Sequence, residues 1–560
     1  MMQISVTYIL PTFLMILGLA PINQMVATSG SDGIFTSNED LRQLIYTKSV
    51  VLQSVEKYIK EEESRIQRLK GYVEQYNKYL GSADGHEEDF VSNPLNSFIL
   101  IKKLTSDFND VYDLIKETSN LNKFSENITD SRESNKWPTD EDLKGAASAL
   151  IRLQEVYKIN TRDMRNGRLN GVDYGPQLTA HDCFELGRQT YNEGDHYRTE
   201  IWMTEALSRY DEEDEKTVSK GDIYEYLGFS AYVQGHLRRA LKFTNLLLKE
   251  LPNHPRAIGN KLYYENAIME SGGSGPSLDG SQRKGDDGLD ELKEDAVLKE
   301  GTGSNAEELL YPETVRYQRL CRGESNEKKK FDRDLKCFLD FGKHPFMKIA
   351  PIKAEKLYSK PDIYIFHNVI SDNEIETIKN MANPRFKRAT VQNAKTGELE
   401  TANYRISKTA WIKSEENDVV KGIYQRVHDV TGLNMETSEE LQVSNYGIGG
   451  HYDPHFDFAR REEKDAFSSL GTGNRIATWL FYESEVEQGG ATVFPVLDLT
   501  LWPQKGSAVF WFNLYRNGEG NEDTRHAACP VLKGTKWVSN FWIHERGQEF
   551  TRPCALTPFE

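Results

Sequence analysis

From Ile45 to Leu80 apolar side chains fall on the first and fourth positions of a seven-residue repeat: Ile45, Leu52, Val55, Ile59, Ile66, Leu69, Val73, Tyr76 and Leu80, broken only at Lys48 and Glu62. That period predicts one long helix with a coiled-coil seam, which suits packing inside a bundle or against a second copy. Between Asp182 and Glu270 the pattern changes. Leu186-Gly187, Tyr191 and Gly194 recur in the same order as Leu227-Gly228, Tyr232 and Gly235, and the pairs Ala206-Leu207 and Ala240-Leu241 follow them. This is a tetratricopeptide-like helix pair used twice, stretched beyond its usual ~34 residues by the acidic run Asp211 to Asp222. Two repeats leave one face uncovered, so a further helix through Pro255 to Glu270 is expected to cap them.

In the last third of the chain the period falls to two. Ile476 to Tyr482, Gly489 to Pro495, Ser507 to Phe512 and Lys536 to Trp542 are short runs rich in β-branched and aromatic residues, punctuated by Gly, Pro and Asn. They predict an antiparallel barrel or jelly roll. The expected fold is therefore multidomain, with an all-α N-terminal half followed by a mainly β double-stranded β-helix domain with flanking helices. The boundaries read as 1–29 for a leader, 30–170 for the helical coiled-coil region, 171–270 for the repeats, 271–310 for a linker and 311–560 for the β domain. The linker assignment rests on composition, beginning Ser271-Gly-Gly-Ser-Gly-Pro276 and continuing in Gly, Asp, Glu and Lys.

Residues 4–20 are apolar but interrupted by Pro11, too short and irregular for a membrane span. They read as a secretory leader, cleaved after Ala20 or near Ser29, though no basic residue precedes them. No later segment has the length and apolarity of a transmembrane helix. Asn127-Ile-Thr129 is a glycosylation sequon. Five cysteines suit an oxidising compartment, with room for two bridges and one leftover thiol. Cys183 lies in an apolar helical pattern and reads as a buried, unreactive thiol. The formal charge of −17 over 560 residues, with no basic stripe, argues against a nucleic-acid partner. The C-terminus, Leu556-Thr-Pro-Phe-Glu560, carries no retrieval signal, so a luminal protein of this sequence would be secreted or held by a partner.

The chemistry is concentrated near the end. His455-Phe456-Asp457 on a strand presents an imidazole and a carboxylate on one side. With His526 from elsewhere they make a 2-His-1-carboxylate set, which leaves coordination positions on iron(II) for 2-oxoglutarate and dioxygen. Lys536 offers a cation for the far carboxylate of that cosubstrate. A second motif, His451-Tyr452-Asp453, lies just upstream, and alternation alone does not choose between the two; Pro454 argues against one uninterrupted strand through both. In the repeats, the tyrosines at 191, 232, 263 and 264 read as the lining of a groove for polyproline II ligands or as core packing.

The run from Asn445 to Arg460, with Gly471 to Trp479 and Thr524 to Val531, resembles the catalytic domain of collagen prolyl 4-hydroxylase alpha subunits, and the resemblance extends over nearly the whole chain. It implies His455, Asp457 and His526 as metal ligands, thus His455 over His451, and Lys536 as the 2-oxoglutarate lysine. It also implies Tyr446 near the cosubstrate carboxylate with Trp542 close by. Tyr191, Arg256, Asn260 and Tyr263 match peptide-groove positions, while Phe229 and Asn266 stand where tyrosine is expected. The bridges implied are Cys321–Cys337 and Cys529–Cys554. The activity implied is hydroxylation at C4 of prolines in collagen-like X-Pro-Gly sequences with Fe(II), 2-oxoglutarate and ascorbate. The partners implied are a second alpha subunit through the coiled coil and protein disulfide isomerase as beta subunit of an α2β2 tetramer, acting on procollagen-like proline-rich peptide in the endoplasmic reticulum lumen. The alternatives are a related dioxygenase acting on another secreted protein, and a non-enzymatic collagen-binding chaperone with a vestigial barrel.

Overall fold

Helix Asn38–Leu80 runs for 43 residues and divides its seven-residue stripe between two environments. Ile45, Leu52, Ile59, Ile66, Val73 and Leu80, each seven residues from the next, are all 40–70% exposed. The alternate positions Val55, Leu69 and Tyr76 are half-buried. Helices Ser106–Lys116 and Ser119–Ser134 cover part of the helix, with Tyr58 meeting Phe124 at 5.6 Å. Glu62, a break in the apolar stripe, pairs with Arg65 at 2.6 Å and accepts from Asn120 at 3.0 Å. Among the described residues, intramolecular packing thus uses one side of the seam and leaves the other exposed. The computed structural model describes residues 33–81, 85, 103–134 except 105, 117 and 118, 137–270, 312–324, 334–392 except 343, and 399–557 except 464, 465, 468 and 469. The expected leader and the expected linker, residues 271–310, lie outside the described residues.

The repeats form the helix pairs Ala180–Asn192 with His196–Glu212 and Lys220–Val233 with Leu237–Glu250, followed by Pro255–Glu270. The recurring glycines have a local cause: Gly194 and Gly235 both sit at φ +81°, the left-handed turn that joins the two helices of each pair and that residues with a Cβ disfavour. The last helix buries Ala257 and Tyr264 against the preceding pair, as a cap should.

The β region consists of two main sheets with antiparallel pairing throughout. The larger has nine strands in the order Cys337–Asp340, Ile352–Ser359, Asp362–His367, Ala508–Phe512, Arg475–Tyr482, Lys536–His544, Leu441–Tyr446, Lys408–Ile412 and Lys387–Arg388. The smaller runs Tyr452–His455, His526–Ala528, Thr492–Phe494 and Leu499–Leu501. Alternation sorts the side chains: Trp479, Phe481, Phe510 and Phe541 join the core beneath helices Asp372–Ala382 and Asp418–Thr431. Tyr446, Tyr482, Val509, Trp511 and Val538 join Phe494, Leu499 and Val531 between the sheets. This is the jelly-roll arrangement that the period-two runs predict. No helix among the described residues is long and apolar enough to cross a membrane.

The cysteine pairing differs from the one implied by resemblance. The bridge present is Cys321–Cys529, and Cys337 and Cys554 are free and exposed. Packing explains the exchange. Helix Pro312–Cys321 lies on strands Thr492–Phe494 and Leu499–Leu501, with Thr500 Oγ1 donating to Leu320 O at 3.2 Å, and its buried Tyr317, Leu320 and Cys321 share a cluster with Ala491, Ala527 and Cys529. Cys337 begins the outermost strand of the nine-stranded sheet, and Cys554 stays on the surface of the C-terminal segment. The bridge ties the helix that enters the β domain, rather than the tail, to the strand of His526. Cys183 is fully buried, and burial pushes its thiol up to about 12, with Glu205 adding to the effect.

Candidate metal centre

Every second residue of three neighbouring strands faces one cavity: Gln442, Ser444 and Tyr446; Thr478 and Leu480; Lys536, Val538, Asn540 and Trp542. The smaller sheet closes it with His455, Thr492 and His526, and Asp457 projects in just beyond its strand. His455 and His526 are register partners on adjacent antiparallel strands, so their rings meet with centroids 4.4 Å apart. Asp457 Oδ1 lies 3.8 Å from His455 Nε2, and its Oδ2 lies 3.6 Å from His526 Nε2. Three donor atoms, one from each residue, fall within 4.8 Å of one another.

The rings are oriented for ligation. His455 Nδ1 is 2.8 Å from Asp453 O and His526 Nδ1 is 3.0 Å from Thr524 O. A carbonyl only accepts, so each Nδ1 carries the hydrogen and each Nε2 lone pair faces the centre. Burial drives the His455 imidazole well below its ordinary pKa, and His526 beside it acts in the same direction, so it stays neutral and able to donate. Burial pushes the Asp457 carboxyl up, but His526, His455, Arg475 and the Thr478 hydroxyl outweigh it and hold it below the usual range.

A buried hydrogen-bond chain supports that carboxylate. Thr478 Oγ1 donates to Asp457 Oδ2 at 2.7 Å, Asn513 Nδ2 donates to Thr478 Oγ1 at 2.9 Å, and Trp511 Nε1 donates to Asn513 Oδ1 at 2.8 Å. Sequence reasoning missed all three residues. The signal available was a threonine inside the apolar run Ile476 to Tyr482 and an asparagine directly after Phe512.

Lys536 is 1% exposed at the other end of the three strands, in register opposite Tyr446, its ammonium 5.1 Å from that ring. Burial alone pushes it down to about 7, and among the described residues no carboxylate pairs with it. Burial also pushes the Tyr446 hydroxyl up to about 12, so it remains a hydrogen donor. An ammonium kept dry beside a phenol suits the distal carboxylate of a dicarboxylic acid. Trp542 lines the same cavity but pairs in register with Thr478, at the end where Asp457 sits. Its six-residue separation from Lys536 is about 20 Å along the strand. Arg475 lies on its ring at 3.6 Å and pairs with Glu439 at 2.6 Å, which makes Trp542 a wall of the metal end rather than a neighbour of the lysine.

The upstream motif goes elsewhere. The pairing register shifts between Tyr452 and His455, so alternation is lost there. His451 is 3% exposed with Nε2 3.4 Å from Asp453 Oδ1, beside Arg152 of helix Asp140–Tyr157, whose guanidinium donates to Gly449 O at 3.3 Å. His451 and Asp453 therefore belong to the contact between that helix and the barrel.

In the repeats, Phe184, Tyr226, Tyr191, Phe229, Tyr232 and Tyr263 form a continuous series of ring contacts, with centroids 4.9–6.2 Å apart, across the first helix of each pair and the cap. Asn260 is exposed, and Arg256, exposed as well, pairs with Glu225 at 2.7 Å. Tyr263 is 55% exposed, whereas Tyr264 is 2% exposed and belongs to the core. Phe184 and Tyr226 were not singled out from the sequence. Asn127 is exposed on helix Ser119–Ser134.

Comparison with known proteins agrees with this geometry. Residues 37–171 match a family model described as the prolyl 4-hydroxylase alpha-subunit N-terminal region, 180–270 match the prolyl 4-hydroxylase peptide-substrate-binding domain, and 441–544 match the 2OG-Fe(II) oxygenase superfamily. Prolyl 4-hydroxylase subunit alpha-1 of Bos taurus is 45% identical over 94% of this chain and 96% of its own, and the Homo sapiens protein gives the same values. Prolyl 4-hydroxylase subunit alpha-2 of Caenorhabditis elegans is 47% identical over 93% of both chains. A solved viral collagen prolyl hydroxylase from Paramecium Bursaria Chlorella virus-1 matches 32% of this chain and 94% of its own at 23% identity and a TM-score of 0.26, which carries no weight here. With near-complete coverage at this identity, the chain belongs to the prolyl 4-hydroxylase alpha-subunit family and carries an iron(II)- and 2-oxoglutarate-dependent oxygenase domain.

Proposed function

We propose that this chain is the catalytic subunit of an enzyme that hydroxylates C4 of peptidyl proline in collagen-like X-Pro-Gly sequences. The observation that carries the reading is the convergence of His455, Asp457 and His526 at one end of a cavity whose other end holds the buried Lys536, with no carboxylate paired to it among the described residues. When bound, iron(II) with dioxygen and 2-oxoglutarate supplies the oxidising power, the cosubstrate ending as succinate and CO2 while one oxygen atom replaces the C4 hydrogen with hydroxyl. The protein's own part is positioning. His455, Asp457 and His526 hold the metal, and Lys536 with Tyr446 orients the distal carboxylate. The chain through Thr478, Asn513 and Trp511 keeps Asp457 in one rotamer. Apolar neighbours such as Leu480 and Val538 keep water from the space between them.

The division of labour follows the domain order. Residues 171–270 hold substrate on the aromatic series with Tyr191, Arg256, Asn260 and Tyr263, a surface suited to an extended, proline-rich chain. The segment 271–310 links that hold to the barrel, so one stretch of substrate is retained while another is modified. The open stripe from Ile45 to Leu80, within residues 30–170, receives a second alpha subunit. Protein disulfide isomerase as beta subunit, ascorbate as reductant, a leader over 1–29, a glycan on Asn127 and residence in the endoplasmic reticulum lumen complete the reading.

The test is a mass measurement. The assembled enzyme, given iron, ascorbate, 2-oxoglutarate and a proline-proline-glycine repeat peptide, adds 16 Da per modified proline, the mass of one oxygen atom. No gain would remove collagen-like sequence as substrate. His526→Ala abolishes cosubstrate turnover and leaves peptide binding by the repeats intact, which separates this reading from a chaperone with an inert barrel.

A further inference from the structure

The first turn of helix Asn38–Leu80 reaches the Lys536 end of the cavity from outside the barrel. Ile34, Phe35, Thr36, Ser37 and Asp40 are 0–6% exposed, although the helix they begin is largely solvated. Their contacts fall on three adjacent strands. Gly447 N donates to Thr36 O at 3.0 Å and Ile448 N to Phe35 O at 3.2 Å, directly after Tyr446. A Cβ on Gly447 would stand 2.2 Å from Phe35 O, so glycine alone permits this approach. Ser37 Oγ donates to Asn445 Oδ1 at 2.8 Å, and Asn445 Nδ2 donates to the main-chain carbonyl of Lys536 at 3.4 Å. Asn38 Nδ2 donates to Gly534 O at 3.1 Å and Thr535 Oγ1 at 3.2 Å, the turn that leads into Lys536. Asp40 forms a buried ion pair with Lys408, whose register partner is Asn445.

These contacts converge on the backbone that carries Tyr446 and Lys536. Lys536 has no ion-pair partner among the described residues, so its main chain sets where its ammonium stands before a ligand arrives. A buried ion pair such as Asp40 with Lys408 is a poor source of stability, because desolvation offsets its attraction, but it tolerates only one geometry. The buried Ser37–Asn445–Lys536 series is equally restrictive.

We propose that Ser37 and Asp40 are positioning residues for 2-oxoglutarate: from the start of the N-terminal helix, where Ser37 lies 408 residues before its hydrogen-bond partner Asn445, they fix the strands that present Tyr446 and Lys536. The inference rests on the reading of Lys536 as the carboxylate anchor. It makes the N-terminal segment part of the oxygenase site, although the oxygenase family match begins only at residue 441.

The test measures binding of 2-oxoglutarate directly, by calorimetric titration of the assembled enzyme loaded with Mn(II) under nitrogen, and then steady-state kinetics with iron. Ser37→Ala and Asp40→Asn raise Kd and KM for 2-oxoglutarate about tenfold, since sub-ångström displacement of a binding group has effects of that order. KM for a proline-rich peptide stays within about twofold, because the contacts that Ser37 and Asp40 make with Asn445 and Lys408 are to the barrel. Ser37→Ala removes one hydroxyl and no packing, so it decides the matter even where Asp40→Asn fails to fold. An unchanged Kd in Ser37→Ala overturns the inference, as does an equal rise in both KM values, the mark of general loosening. Lys536→Met separates the two layers. If it leaves Kd unchanged, the anchor assignment itself fails; if it weakens binding while Ser37→Ala does not, only the positioning role falls.

Discussion

Thr478 and Asp457 are joined by a 2.7 Å hydrogen bond that is buried and runs from hydroxyl to carboxylate, and Thr478 is held in turn by Asn513. Because the Asn513 amide occupies the threonine oxygen as acceptor, the hydroxyl hydrogen has only Asp457 to serve. Thr478→Val keeps the shape and removes the donor. We expect metal affinity to fall about 10- to 100-fold, as for other partners of ligating groups. The measurement is an equilibrium Mn(II) titration with thermal melting as the control for folding. A variant that binds Mn(II) like the parent would make the chain Trp511–Asn513–Thr478 a packing feature only.

His455→Ala and His451→Ala should part company. The first removes one of three donors and leaves a buried Asp457 facing His526 alone, so metal binding and cosubstrate turnover are both lost. The second loosens the contact with Arg152 and helix Asp140–Tyr157, and we expect lower thermal stability with turnover largely retained. The reverse pattern in a metal-content assay would transfer the ligand role to the upstream motif.

Why one of these two motifs was ambiguous from the chain alone is a matter of register. Period-two runs were legible as strands wherever a strand is continuous, as in Arg475–Tyr482 and Lys536–His544, whose alternate residues Thr478, Leu480 and Lys536, Val538 face the cavity. The shift between Tyr452 and His455, beside Pro454, is a local departure that no periodicity reports. The helical half was legible for a similar reason: the seven-residue period lies within one continuous helix, and the repeat marks the buried residues and turn glycines that each helix pair needs. The polar chain behind Asp457 was not, because Asn513 and Trp511 meet Thr478 only through the pairing of Ala508–Phe512 with Arg475–Tyr482. The contact of Ser37 with Asn445 is farther still from any local pattern, and the cysteine pairing depends on how helix Pro312–Cys321 docks.

The cysteine pairing has a direct check. Native alkylation should label Cys337 and Cys554, and non-reducing peptide mapping should recover Cys321 joined to Cys529. Cys321→Ser with Cys529→Ser is expected to cost about 3 kcal/mol of stability, read by denaturant unfolding, and Cys554→Ser almost nothing. Recovery of Cys529 joined to Cys554 would restore the pairing that resemblance suggests.

For the repeats, exposure separates ligand-facing from structural rings. Tyr191→Ala, at a half-buried position, and Tyr263→Ala, at an exposed one, each remove a ring from the connected series and should weaken a proline-rich peptide about tenfold, the usual consequence of truncating an aromatic anchor. Tyr264→Phe, at a buried position, should leave affinity unchanged. Fluorescence titration with a labelled peptide reads all three. Equal affinities for parent and both alanine variants would assign these tyrosines to packing.

The Lys536 ammonium makes cosubstrate binding depend on pH in a defined direction. Its pKa is pushed to about 7 in the ligand-free cavity by burial, and a bound carboxylate draws it back up. Below about pH 7 the lysine is already charged, so binding needs no proton and affinity is flat. Above that value the free form is mainly neutral, each complex takes up a proton, and the association constant falls by about tenfold per pH unit. Between pH 6.5 and 8.5 the Kd for 2-oxoglutarate should therefore rise roughly twentyfold in the Mn(II)-loaded enzyme under nitrogen, with proton uptake visible as a buffer-dependent binding enthalpy. Lys536→Met should bind weakly and without this slope. A flat profile in the parent enzyme would mean that the lysine is charged throughout and that some group beyond the cavity wall compensates it.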